Sequence, residues 1–199
     1  MSDQNPAPAA ENSRPRGAAP EFSVCVYCGS RDGGSPAYAA AAEELGRALA
    51  AQSWRLVYGA GDVGLMGRVA RATQAAGGAT FGVIPTHLLH AEVGKRDLTQ
   101  FVVTETMHER KKVMFMNCDA VVVLPGGAGT LDEFFEVLTW AQLGLHSKPI
   151  ILLNIDGFWD PLVALLDHVI ARGFASPSLK GLISLASDPA VAISQLGGS

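Results

Sequence analysis

Two segments of this 199-residue chain carry side chains that could act together on one molecule. The first is "MHERK", Met107 to Lys111; the second is "PGGAGTLDE", Pro125 to Glu133, whose Gly126 stands sixteen residues after Arg110. In the second segment Gly126, Gly127 and Gly129 allow backbone angles and close approaches that a side chain would forbid, and Thr130 reads as the N-cap of the helix that follows. A glycine turn at a helix N-terminus directs unpaired N–H groups and the positive end of the helix dipole at one spot, which suits a phosphate. Glu133, three residues after Thr130, has two compatible readings. It completes a capping box, and its carboxylate projects beside the glycine turn within reach of whatever that turn holds. Glu136, one turn further on, suits a partner or a solvated face. Arg110 flanks a helix face that carries Met107 and Met114. An arginine drawn toward an apolar face must be paired, so it points to a carboxylate or a phosphate, although the run "RKK" also suits a solvated face.

These groups need elements to hold them. Val121 to Leu124 is too short for a helix and apolar on both faces, as a central strand of a parallel sheet is. Ahead of it, "FSVCVYCGS" (Phe22 to Ser30) reads as a first strand, and a helix follows with Ser35 as N-cap and Pro36 at its first position. "WRLVYGAGDVGLMGRVARATQAAGG" repeats that plan, with a strand to Tyr58, a glycine turn and a helix to about Ala76. "ATFGVIP" is a third strand, Thr86 to Thr99 a loop over the site, and "FVVTET" a fourth strand. The helix from Met107 to Asn117 has Thr106 as its cap and Glu109 closing a capping box. "KPIILLN" is a sixth strand, a helix ends at Gly173, and "LISLA" precedes a last helix from Asp188. The expected fold is α/β: a single-domain Rossmann-like, doubly wound parallel sheet with helices on both faces. Residues 1–21 read as a disordered tail and 22–199 as the domain.

Composition narrows the function. A formal net charge of -4, without a basic stripe, argues against a nucleic-acid or anionic-membrane partner and leaves a small solute. Cys25, Cys28 and Cys118 are too few for a disulfide framework and fit a reducing cytoplasm. No apolar run is long enough to span a bilayer, and the first residues lack the core of a signal peptide. Gly59, Gly61 and Gly64 spell a literal G-x-G-x-x-G, but the acidic residue that a dinucleotide site places about 20 residues on is missing, so close helix–strand packing beside a mononucleotide is the better account. Cys25 and Cys28 lie in a strand rather than at a helix start, and read as buried apolar thiols. His87 and His90 have no carboxylate cluster beside them, and no metal site is expected.

Taken together, "MHERK", "PGGAGTLDE", "VYCGS", "YGAGDVGLMGRVA" and "TWAQLGLHSKPI" resemble the Lonely Guy family of cytokinin riboside 5'-monophosphate phosphoribohydrolases, from about Val24 to about Gly173. Such proteins have often been labelled lysine decarboxylases, yet no segment reads as a pyridoxal-phosphate Schiff-base site. The resemblance implies hydrolysis of the N-glycosidic bond of an adenosine-type, N6-prenylated 5'-monophosphate, without cofactor or metal, by a homodimer whose site is completed near the subunit interface. It assigns catalysis to Arg110 and Glu133. Substrate contacts fall on Lys111, Glu92, Thr139, Gly126, Gly127, Gly129, Thr130, and on Gly29, Ser30 and Gly61 of the first two turns. Ala128 and Ala60 depart from the family, which usually has Tyr and Gly there. Two alternatives stay open: a general AMP nucleosidase, and a non-catalytic nucleotide or cofactor carrier of the same fold.

Overall fold

The computed structural model describes residues 22–89 and 94–197. Seven strands form one sheet: β1 (Ser23–Tyr27), β2 (Arg55–Tyr58), β3 (Thr80–Pro85), β4 (Gln100–Thr104), β5 (Ala120–Val123), β6 (Ile150–Leu153) and β7 (Ser184–Ala186). Their order is β4-β3-β2-β1-β5-β6-β7, and every registered pair is parallel. The helices are α1 (Pro36–Ala51), α2 (Gly64–Ala75), α3 (Met107–Met116), α4 (Ala128–Gln142), α5 (Asp160–Ala171) and α6 (Pro189–Gly197). Strand alternation divides the core in two. Val24, Val26, Leu56 and Val122 pack with α1, α2 and α6 on one face. Cys25, Tyr27, Val57, Val121 and Val123 pack with α3, α4 and α5 on the other. Central strands buried on both faces explain why their sequences are continuously apolar. The expected doubly wound sheet is present.

Local chemistry sets the boundaries. Ser35 caps α1 by accepting from the Ala37 N–H at 3.3 Å, and Pro36 opens the helix without an N–H to leave unpaired. The capping box on α3 is complete: Thr106 Oγ1 accepts from the Glu109 N–H, and Glu109 Oε2 accepts from the Thr106 N–H, both at 3.2 Å. The Glu105 N–H also reaches Glu109 Oε2, at 2.9 Å, so β4 ends at Thr104 rather than running on to Thr106.

The start of α4 corrects the sequence reading. Gly127, not Thr130, is the N-cap, and no side chain caps it. Glycine serves at this position because the cap residue is not helical, and Gly127 is extended at φ -97 and ψ -153. Thr130 becomes the third helical residue and Glu133 falls in the second turn. The capping-box role for Glu133 is thereby removed, and its carboxylate is left to the site. The tail expected before residue 22, and His90 and Glu92 in the loop after β3, lie outside the described residues. Among the described residues no helix is long and apolar enough to cross a membrane.

Candidate active site

The strand order reverses between β1 and β5, where the loops from the carboxyl ends of neighbouring strands diverge to opposite faces and open a crevice. The Gly29 N–H donates to the Pro125 carbonyl at 3.0 Å and holds the two turns together there. A cavity of about 830 Å³ opens above them. Gly29, Ser30, Gly126, Gly127, Gly129 and Thr130 line it, together with Arg110 and Glu133. Gly126 has to be glycine, because a methyl group on it would overlap Thr130 Oγ1 and lie 2.9 Å from the Gly29 nitrogen. The uncapped first turn of α4 offers its N–H groups at the cavity floor, where the dipole favours an anion.

Arg110 rises from α3 and is 4% exposed. Its Nε donates to the Val83 carbonyl at 3.1 Å and one terminal nitrogen to the Gly59 carbonyl at 2.7 Å. Two strand ends thus orient the guanidinium toward the cavity. Gly59 makes room for it: a side chain at 59 would occupy the space of the guanidinium. The first glycine of the G-x-G-x-x-G motif therefore makes room for an arginine.

Glu133, buried on α4, stands over a neutral floor. Burial pushes the Tyr27 phenol well above its ordinary pKa, and the Cys25 thiol and Glu133 carboxylate push the same way. Cys25 is likewise raised, first by burial and then by Cys118 and Glu133. Neither group ionises at neutral pH, so the Glu133 carboxylate has neutral neighbours on this side, in a medium of low polarity where an interaction with a cation counts for more. Cys25 and Cys28 belong to opposite faces of the sheet and, among the described residues, neither is in a disulfide, in line with buried thiols.

Three expected contacts lie elsewhere. Lys111 turns toward α4 and meets Asp132 at 2.9 Å and Glu136 at 3.1 Å, and it is not among the described residues lining the cavity. Gly61 pairs with Gly94 in an antiparallel bridge that ties the loop after β3 to the β2 turn. Thr139 is exposed, its hydroxyl donating to the Phe135 carbonyl one turn back at 2.6 Å. Glu92 is outside the described residues. The structure adds lining residues that the sequence reading passed over: Arg31, Tyr38, Leu88, Met66 and Phe158. Arg31 brings a second guanidinium, and among the described residues no carboxylate pairs with it. Only its place in the turn after "VYCGS" could have drawn attention to it.

Comparison with known proteins settles the family. A family model described as "Possible lysine decarboxylase" matches residues 66–196. A probable cytokinin riboside 5'-monophosphate phosphoribohydrolase of Oryza sativa subsp. japonica is 49% identical over 165 residues, spanning 83% of this chain and 73% of that protein. A cytokinin riboside 5'-monophosphate phosphoribohydrolase of Arabidopsis thaliana is 42% identical over 173 residues, spanning 87% and 80%. The chain belongs to the Lonely Guy family. Among solved structures, the molybdenum cofactor binding protein of Rippkaea orientalis is similar to this Lonely Guy chain with a TM-score of 0.69 and 25% identity, over 89% of this chain and 96% of that one. The decarboxylase description finds no support in the cavity of this family member: a Schiff base needs a lysine, and none is among the described lining residues.

Proposed function

We propose that this chain hydrolyses the N-glycosidic bond of adenosine-type nucleoside 5'-monophosphates, with N6-prenylated nucleotides as its substrates, releasing free base and ribose 5-phosphate. The observation that carries this is the meeting of Glu133, Arg110 and the open N-terminus of α4 in one cavity at the switch point. The named activity of relatives 40–49% identical to this chain supports it.

The 5'-phosphate sits on the first turn of α4 and on Thr130, its charge matched by the helix dipole. As the bond from the anomeric carbon to the base nitrogen breaks, its electron pair leaves with the base and positive charge grows on the ribose ring. Glu133 stabilises that charge and takes a proton from the water whose oxygen bonds to the anomeric carbon, and that proton passes on to the departing base, so that one water is divided between ribose and base. Arg110 orients the carboxylate and the nucleotide. Tyr38, Phe158 and Met107 give the base an apolar enclosure. Removal of a charge-stabilising group of this kind costs about 3 kcal/mol or more of barrier.

Two copies form the working unit in this reading. Met116, Leu143 and Leu145 are 67%, 67% and 69% exposed at the C-terminal ends of α3 and α4, which Phe115 joins by ring contacts to Trp140 and His146. Thr139, on the exposed face of α4, reaches substrate only from such a partner. The deciding experiment is base release from AMP and from isopentenyladenosine monophosphate by purified protein. Faster release from the prenylated nucleotide supports the reading, equal rates make the chain a general nucleosidase, and binding without release makes it a carrier.

A further inference from the structure

The loop that joins β1 to α1 is a thin partition. On one side Asp32, Gly33, Gly34 and Ser35 line the cavity; on the other they line a depression of about 460 Å³ together with Arg68 and Glu43. Backbone bonds fix the base of the loop, the Gly29 N–H donating to the Pro125 carbonyl at 3.0 Å and the Leu65 N–H to the Gly29 carbonyl at 3.1 Å. At its far end Ser35 Oγ donates to Asp156 Oδ2 at 3.1 Å. The tip between them is gripped from behind. Arg68 of α2 meets Asp32 as a fork, Nε to Oδ1 at 2.8 Å and one terminal nitrogen to Oδ2 at 3.0 Å. Its other terminal nitrogen reaches Glu43 Oε1 on α1 at 2.8 Å. A two-point bond of this kind fixes the direction of the carboxylate as well as matching its charge.

We propose that Arg68 is a positioning residue for phosphate recognition: by committing the Asp32 carboxylate to the back of the loop, it leaves the neighbouring Arg31 guanidinium to the substrate anion. Three observations carry this. Arg31 lines the cavity two residues beyond Gly29, and among the described residues no carboxylate pairs with it. Asp32 is the next residue and lines the same cavity, so a carboxylate released there would offset the charge of Arg31 and repel a phosphate. Glu43 shares Arg68 but lines only the outer depression, so of the two carboxylates it is Asp32 that borders the anion. The Arg68 guanidinium holds the Asp32 carboxyl below its ordinary pKa, so the negative charge is present throughout the neutral range and has to be matched. Exposed ion pairs contribute little to stability, and the worth of this one lies in where it puts the charge.

The inference rests on the hydrolase reading for the place of the phosphate, and its test separates the two by measuring binding as well as turnover. The Kd for AMP by calorimetry, together with KM and kcat, is compared among the unaltered chain, Arg68→Met, Arg68→Lys, Asp32→Asn, and Arg68→Met combined with either Asp32→Asn or Glu43→Gln. Arg68→Met is expected to weaken AMP binding about fivefold at low ionic strength, as an unmatched charge near an anion does, and by less at high salt, which screens it. KM rises by the same factor, while kcat and Tm stay close to those of the unaltered chain. Asp32→Asn by itself binds AMP normally, and Arg68→Lys keeps the charge and most of the affinity. Adding Asp32→Asn to Arg68→Met recovers what was lost, and adding Glu43→Gln does not. Unchanged binding in Arg68→Met overturns the proposal. So does a loss in Asp32→Asn equal to that in Arg68→Met, because the ion pair is then only a brace for the loop. Equal recovery by Glu43→Gln overturns it as well, by making the effect one of general charge. If the unaltered chain binds AMP but releases no base, the hydrolase reading fails and the Kd series still decides the role of Arg68; if it does not bind AMP, both fall.

Discussion

Arg110 donates to the carbonyl oxygen of Gly59 at 2.7 Å, and the guanidinium fills the space that a side chain on Gly59 would take. A single added methyl group therefore tests the seat of the arginine without touching any charge. Gly59→Ala is expected to cost about 1–3 kcal/mol of stability, as overpacking does. It is also expected to lower turnover to near that of Arg110→Ala. Unfolding curves and AMP hydrolysis measured together check this. A stable variant with normal turnover would show that the guanidinium can be seated elsewhere.

Glu133 offers the most direct test of the chemistry. Glu133→Gln keeps the shape of the side chain and removes its charge, and is expected to lower kcat at least a hundredfold while nucleotide binding by calorimetry survives. The loss corresponds to the barrier of about 3 kcal/mol that one such group supplies. Full activity in Glu133→Gln contradicts the assigned role.

The phosphate is expected to act as a handle, and Arg31 to help hold it. Arg31→Ala is predicted to raise KM for AMP about tenfold, as a lost charge-assisted hydrogen bond does. A small effect on adenosine, which is expected to be a poor substrate in every form of the protein, distinguishes phosphate recognition from a general defect. Equal losses on AMP and adenosine would remove Arg31 from the phosphate.

The tie between α3 and α4 carries a pH signature. Burial pulls the Lys111 pKa down, but hydrogen bonds to Asp132 and Glu136 outweigh it and leave it above the ordinary value of 10.5. A group with a raised pKa in the folded state contributes its stability in full below the unfolded value and loses it as pH rises through the folded one. The advantage of the unaltered chain over Lys111→Met in thermal unfolding should stay constant from pH 7 to about 10 and fall only above lysine's usual range of about 10.4. A decline already complete by pH 9 would mean that the ammonium is not held by carboxylates.

Much of the architecture was open to reading before any coordinates. The alternation of strand and helix, the cap at Ser35 and the Thr106–Glu109 box depend on residues within four positions of one another, and such local preferences act the same way in any fold. The glycine turn at Gly126 to Gly129 was legible for the same reason. The start of α4 escaped because Thr130 and Gly127 are both good caps, and only the backbone at Gly127 chose between them.

Which side chains meet was decided by the tertiary structure alone. Arg110 and Gly59 are 51 residues apart, and Lys111 and Asp132 are 21 apart. Nothing in "ERKK" says that the arginine turns to the cavity and the lysine to α4, since neighbouring residues on a helix point about 100° apart and the packing of the sheet and of α4 selects their directions. The sequence by itself determined most of the elements and the glycine turn, through propensities that reach only a few residues. The cavity, the seat of Arg110 and the ion pairs of Lys111 exist only once distant segments are packed together.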